Sequence, residues 1–198
     1  MSVCKKTKNM DSKQNINNMQ IMKNYILTGA PGSGKTSVIK LLQENGENVV
    51  NESATDVIYE NQSNGISEPW KLQKFIDEIL KLQINRQKNS CINKYDLCFY
   101  DRSPICTYAL SIYLGFEPSS LLMNEIDRIN SNNIYEKNAF FIDNLGFIEN
   151  TNARKISFEE SVKFEKIHLD SYSKFGFKCI HIPKMSTYER VNTILNII

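Results

Sequence analysis

From about residue 24 onward, short apolar runs alternate with longer stretches whose apolar residues recur at helical spacing. Asn24 to Thr28 (NYILT) reads as a first strand, and Thr36 to Glu44 (TSVIKLLQE) as the helix after it. Glu47 to Val50 predicts a short second strand. From Trp70 to Arg86, apolar residues fall at 72, 75, 76, 79, 80, 82 and 84, mostly at helical spacing. Tyr95 to Tyr100 (YDLCFY) predicts a third strand and Ala139 to Ile142 (AFFI) a fourth. Phe158 to Phe175 is polar and helical, and Lys178 to Ile182 (KCIHI) reads as a fifth strand. Ser186 to Ile198 sets Tyr188, Val191, Ile194, Leu195 and Ile198 along one helical stripe. No repeat and no Pro/Gly/Ser linker interrupts the alternation. It predicts an α/β domain, a parallel sheet covered by helices on both faces.

Residues 1 to 22 break from this pattern, being polar and rich in Lys, Asn and Gln. They lack the apolar core of a signal peptide, so a disordered tail is expected there and a single domain over residues 23–198. The net charge of +2 is too small to argue for nucleic acid or a membrane surface. The basic residues are dispersed, without the aromatic interleaving of a nucleic-acid groove. No window is long and apolar enough to cross a bilayer. The five cysteines (Cys4, Cys91, Cys98, Cys106 and Cys179) form no C-x-x-C pair and have no histidine at ligand spacing. A reduced, cytoplasmic protein without a zinc site is expected.

The first chemistry appears directly behind the first strand, in TGAPGSGKTS. Gly29, four residues, then Gly34, Lys35 and Thr36 fit G-x-x-x-x-G-K-[ST]. Glycines at 29, 32 and 34 permit backbone approaches that a Cβ would block, so successive N–H groups can cradle phosphate oxygens. The residues expected to line that cradle are Gly29, Ala30, Pro31, Gly32, Ser33, Gly34, Lys35, Thr36 and Ser37. The following helix turns its positive dipole end to the same anion. Lys35 would contact the β and γ phosphates, and the Thr36 hydroxyl would bind Mg²⁺. A chance match in a chain this long has a probability on the order of 1% at average glycine usage.

The third strand ends in CFYDRSP, which puts a carboxylate and a guanidinium at its C-terminal edge. Open α/β sheets bind ligands at that edge. Asp101 could join the Mg²⁺ shell or accept a proton from a substrate hydroxyl. Arg102 offers a planar fork suited to a phosphate or a transferred phosphoryl group. The structural alternative is an Asp, or Ser103, capping the next helix with Pro104 in its first turn.

In their order, GAPGSGKTS, the Glu of NESATDVI, YDRSP and FIENTNARKISFEES resemble the P-loop kinase-like AAA domains. That family includes the ribosylnicotinamide-kinase domain of the NadR regulators and relates more distantly to deoxynucleoside and thymidylate kinases. The resemblance covers about residues 24–198 and implies a three-layer α/β/α P-loop NTPase with a five-stranded parallel sheet. It also implies that Glu52 stands near an acceptor hydroxyl, and that Arg154 belongs to a lid over about residues 144–160. The expected cofactors are ATP, with GTP possible, and Mg²⁺. The expected reaction moves a phosphoryl group to a nucleoside-like or other small metabolite. The alternative is a nucleotide-dependent switch that changes affinity for a protein partner. Glu52 to Ser67, rich in acidic and amide residues, is read as the acceptor-side loop.

Two further patterns suggest guanine reading, NKYD at Asn93 to Asp96 and DNLG at Asp143 to Gly146. They stand in the wrong order for a GTPase, and NKYD, which runs into the third strand, is read as a turn, with base preference left open. His168, His181 and Arg190 are expected on surfaces or in ordinary packing, and Trp70 is expected at the head of the second long helix as core.

Overall fold

The strands are β1 (Lys23–Thr28), β2 (Val49–Val50), β3 (Leu97–Asp101), β4 (Asn138–Ile142) and β5 (Lys178–Ile182). The helices are α1 (Lys35–Glu44), α2 (Ala54–Ser63), α3 (Lys74–Ser90), α4 (Pro104–Tyr113), α5 (Ser120–Ser131), α6 (Phe158–Lys174) and α7 (Thr187–Ile197). They come from a computed structural model that describes residues 23–90, 97–146 and 157–198. The sheet has five parallel strands in the order β2-β3-β1-β4-β5.

Side chains alternate across each strand, and that alternation divides the core into two layers. Tyr25, Leu27, Phe99, Phe140 and Ile142 point to one face, where Val38 and Leu42 of α1 and Val191 and Ile194 of α7 cover them. Ile26, Cys98, Tyr100 and Ala139 point to the other face, onto Ile105 of α4, Ile129 of α5 and Tyr172 of α6. Burial of each large side chain contributes roughly 1.5–3 kcal/mol. The α/β/α layering expected from the alternating pattern is the one found.

Several elements differ from the sequence expectation. Residues 52–67 are not a loop throughout, because α2 occupies Ala54–Ser63. Its buried stripe is only Val57, Ile58 and Asn61, and it packs on Phe75 and Ile79 of α3. So short a stripe among acidic and amide residues carries little helical signal. The α5 helix also goes beyond the pattern, starting from Ser119, whose side chain accepts from the Leu122 N–H. Trp70 does not head α3; it lies in a separate 3-10 turn, Pro69–Lys71, and is only partly buried.

Chain order explains where a ligand can sit. From β1 the chain crosses to β2 and returns to β3 beside β1, then passes to β4 on the opposite side of β1. Direction therefore reverses at β1, and a crevice opens above the C-terminal ends of β1, β3 and β4. Residues 29–37 and Asp101–Arg102 both lie at that crevice.

Candidate active site

The turn after β1 owes its first glycine to packing. Gly29 has φ +134, and a Cβ there would lie 2.5 Å from the Ile142 carbonyl oxygen of β4. Gly32 and Gly34 also have positive φ, +84 and +85. Lys35 opens α1 and is buried. Its ammonium donates to the Gly29 carbonyl at 2.9 Å and the Ala30 carbonyl at 3.0 Å, with the Ser33 hydroxyl at 3.3 Å. Burial first, then the neighbouring Arg102 charge, bring its pKa down to about 7. Thr36 and Ser37 are exposed on the first turn of α1, and Thr36 and Pro31 line the adjacent cavity.

At the end of β3, Asp101 is opposite Leu27 of β1. Burial, reinforced by Glu52, raises its pKa to about 6. Its Oδ1 is buried without a hydrogen-bond partner among the described residues. Arg102 follows at φ +75, a strained conformation for a bulky residue, and its N–H donates to the Leu27 carbonyl at 3.0 Å. That turn aims the guanidinium at Glu52, whose Oε1 accepts from Arg102 Nε at 2.5 Å. Thr55 donates to the other Glu52 oxygen at 3.0 Å. Burial opposes the charge on Glu52, but Arg102, Lys35 and Thr55 outweigh it and hold the pKa below the usual value. Burial opposes the charge on Arg102 too, and Glu52 and Asp101, with the Glu52 hydrogen bond, help to outweigh it and keep the guanidinium charged.

Glu52, Asp101 and Arg102 share a cavity of about 890 Å³ with Pro31 and Thr36. Its far walls carry Tyr59 of α2, Trp70, Phe75 and Gln83 of α3, and Thr107 and Tyr113 of α4. The cavity thus has a charged end beside the phosphate-type loop and an aromatic end with a few polar groups. Thr107 and Gln83 are hydrogen-bonded at 2.8 Å within it. Asp56 and Arg86 form an ion pair, and Arg86 also donates to the Asn51 and Glu52 carbonyls, pinning the turn that carries Glu52.

Three residues read as ordinary take part in the site. His168 lies wholly buried on α6 with its Nδ1 at 3.0 Å from the Phe164 carbonyl. A proton on Nδ1 leaves Nε2 as an acceptor for Arg102 Nη1, 3.4 Å away. Burial and then the Arg102 charge push the His168 pKa down to about 3, so the ring is neutral. Arg190 is not on the surface; it is buried beside the loop, with Nη1 2.6 Å from the Ser33 carbonyl. Trp70 packs, partly buried, against the core around Phe75 and Ile79 and also lines the cavity. Ser103 starts α4 but makes no side-chain cap; its hydroxyl meets the Tyr172 hydroxyl at 2.9 Å. Asp143 of DNLG pairs with His181 at 2.7 Å. Arg154, the tail, NKYD and most of the expected lid lie outside the described residues.

Among the described residues, no group of three or more His, Cys, Asp or Glu could hold a metal ion, and no helix is long and apolar enough to cross a membrane.

A family model described as an AAA domain matches residues 24–190. No curated protein matches the chain at the level of sequence. Among solved structures, a deoxyadenosine kinase from M. mycoides with products bound superposes with a TM-score of 0.56 at 13% identity, covering 87% of this chain and 97% of that one. A NadR protein in complex with NAD and AMP-PNP gives 0.58 at 14% identity, covering 88% of this chain and 49% of that one. NadR in complex with NR gives 0.61 at 12% identity, covering 88% and 50%. The chain therefore belongs to the AAA domain family and has the fold of the kinase-like P-loop NTPases.

Proposed function

We propose that this protein transfers the γ-phosphoryl group of ATP, with Mg²⁺, to a hydroxyl of a nucleoside-like small molecule held in the 890 Å³ cavity. The observation that carries this reading is the single cavity that joins the loop's Pro31 and Thr36 to Glu52, Asp101 and Arg102 and then to an aromatic chamber. A protein that only bound and hydrolysed nucleotide would have no use for that chamber. Its aromatic walls suit a planar ring, and the nucleotides and nucleosides bound by the fold's solved relatives have the same chemistry.

The residues divide the work. The loop amides and Lys35 bind the phosphates, and the Lys35 charge is maintained by the anion it contacts. The Thr36 hydroxyl and Asp101 carboxylate are all-oxygen donors, and the unpartnered Asp101 Oδ1 supplies a buried acceptor, so they fit Mg²⁺. Mg²⁺ when bound would neutralise charge between the β and γ phosphates. Glu52, ionised and held from both sides by Arg102 and Thr55, orients the acceptor hydroxyl and takes its hydrogen bond. Arg102 pairs with Glu52 and its charge reaches Lys35 of the loop, so it would stabilise the group in flight. Arg154 would add charge from a closing lid, which also excludes water.

The test is a survey of melting temperature across nucleosides, nicotinamide riboside and related hydroxylated metabolites, each with and without a non-hydrolysable ATP analogue and Mg²⁺. Anything bound only by the native state raises the midpoint. A kinase is expected to respond to the analogue and, further, to one acceptor class. A response to nucleotide with none to any acceptor would support the switch-type alternative.

A further inference from the structure

We propose that Arg190 is a positioning residue of the phosphate loop, turning the Ser33–Gly34 peptide so that the Gly34 N–H faces a bound phosphate. The inference rests on the nucleotide-binding part of the proposed function. Arg190 comes from α7, 157 residues along the chain from the loop it touches. It is 2% exposed, and its guanidinium forks across three segments at the C-terminal edge of the sheet. Nη1 donates to the Ser33 carbonyl at 2.6 Å, Nη2 to the Asp143 carbonyl after β4 at 3.3 Å, and Nε to the Pro183 carbonyl after β5 at 3.1 Å.

A trans peptide is planar, so its carbonyl and its N–H point in opposite directions. The protein has no cis bonds among the described residues. Holding the Ser33 oxygen toward Arg190 therefore turns the Gly34 hydrogen away from it, across the loop. Gly34 sits at φ +85, and a Cβ there would meet Arg190 Nη1 at 3.3 Å, so the guanidinium is seated directly against this residue. The Asp143 carboxylate is engaged with His181, so Arg190 meets backbone oxygens instead of an ion-pair partner. A charge kept in such a place is expensive, and replacing it with an apolar side chain would leave three carbonyls without their donor. A phosphate on the far side of the loop would add to the negative charge that Asp143 supplies at longer range. A planar fork suits the site because its donors Nε, Nη1 and Nη2 are spread across three separate segments, whereas a lysine offers its donors from a single point.

The experiment compares wild type, R190K and R190Q by calorimetry with Mg-ATP, and follows Gly34 among the eight glycines by ¹⁵N-glycine NMR. In wild type, nucleotide should move the Gly34 amide proton strongly downfield. Both variants should lose about tenfold or more in affinity, the range for one charge-assisted hydrogen bond, with a smaller Gly34 shift and a retained melting transition. R190K binding like wild type would show that charge alone suffices, and overturn the orienting role. A wild-type Gly34 amide that stays put while nucleotide binds elsewhere in the loop would overturn it too, even if neither variant folds. If wild type binds no nucleotide at all, the phosphate-loop reading itself fails, which is a different result from either of these.

Discussion

Lys35 carries the most direct consequence at the scale of single residues. Its pKa is brought down to about 7 in the free protein, so above that pH the ammonium is largely deprotonated. A bound phosphate favours the charged form, so nucleotide binding at pH 8 should take up a proton. Calorimetry in buffers of different ionisation enthalpy should show this in wild type and not in Lys35→Ala, whose affinity should also fall by about tenfold or more. Asp101 titrates in the opposite sense. Its carboxyl is raised to about 6, so below that pH it is protonated and a poor metal ligand. The Mg²⁺ concentration for half-maximal turnover should therefore rise as pH falls through 6, and Asp101→Asn should show the raised requirement at every pH. A wild-type Mg²⁺ requirement flat from pH 5 to 8 would contradict that role. The placement of Lys35, Asp101 and Arg102 at strand ends was legible because each belongs to a contiguous pattern tied to a strand end. His168 and Arg190 were not, because each acts on a partner 66 or 157 residues away, which no local pattern encodes.

Among the elements, α6 does the most to shape the site. Phe164, His168 and Tyr172 recur every four residues along it, and they meet the cavity, Arg102 and Ser103 in turn. A helix read as merely polar is thus the support of the strained turn after β3. His168→Phe, which keeps a buried ring but removes the acceptor, should depress turnover more than nucleotide affinity. His168→Gln, which can still accept, should recover part of it. The same residue sets an acid limit. Its folded pKa of about 3 lies below the ordinary value of 6.5, so the unfolded chain binds more protons between those values. Its contribution is complete above pH 6.5 and is lost as pH falls toward 3. Melting temperature should therefore decline less steeply over that window in His168→Gln than in wild type. The five strands were readable as short apolar runs, and α1, α3 and α7 from apolar residues at helical spacing. The α2 helix was not, because three buried positions among acids and amides hardly differ from a loop.

At the scale of the whole molecule, sheet order and site belong to one argument. The reversal at β1 opens a crevice above β1, β3 and β4, and the residues placed there carry the phosphate loop and the Asp101–Arg102 pair. Glu52 arrives from the edge strand β2, and the aromatic part of the cavity lies toward that side, between α2, α3 and α4. The α/β class and the phosphate end of the site were therefore predictable from strand–helix alternation and one motif. The chamber was not, because its walls come from Tyr59, Trp70, Gln83 and Tyr113, which meet only through packing. The measurement that tests the account most directly follows the fate of γ-labelled ATP with Mg²⁺ and a pool of nucleosides and vitamin precursors. The account predicts label on an organic acceptor in wild type, and sharply reduced transfer in Glu52→Gln with ATP affinity unchanged. Label released only as inorganic phosphate, at the same rate in both proteins, would contradict it.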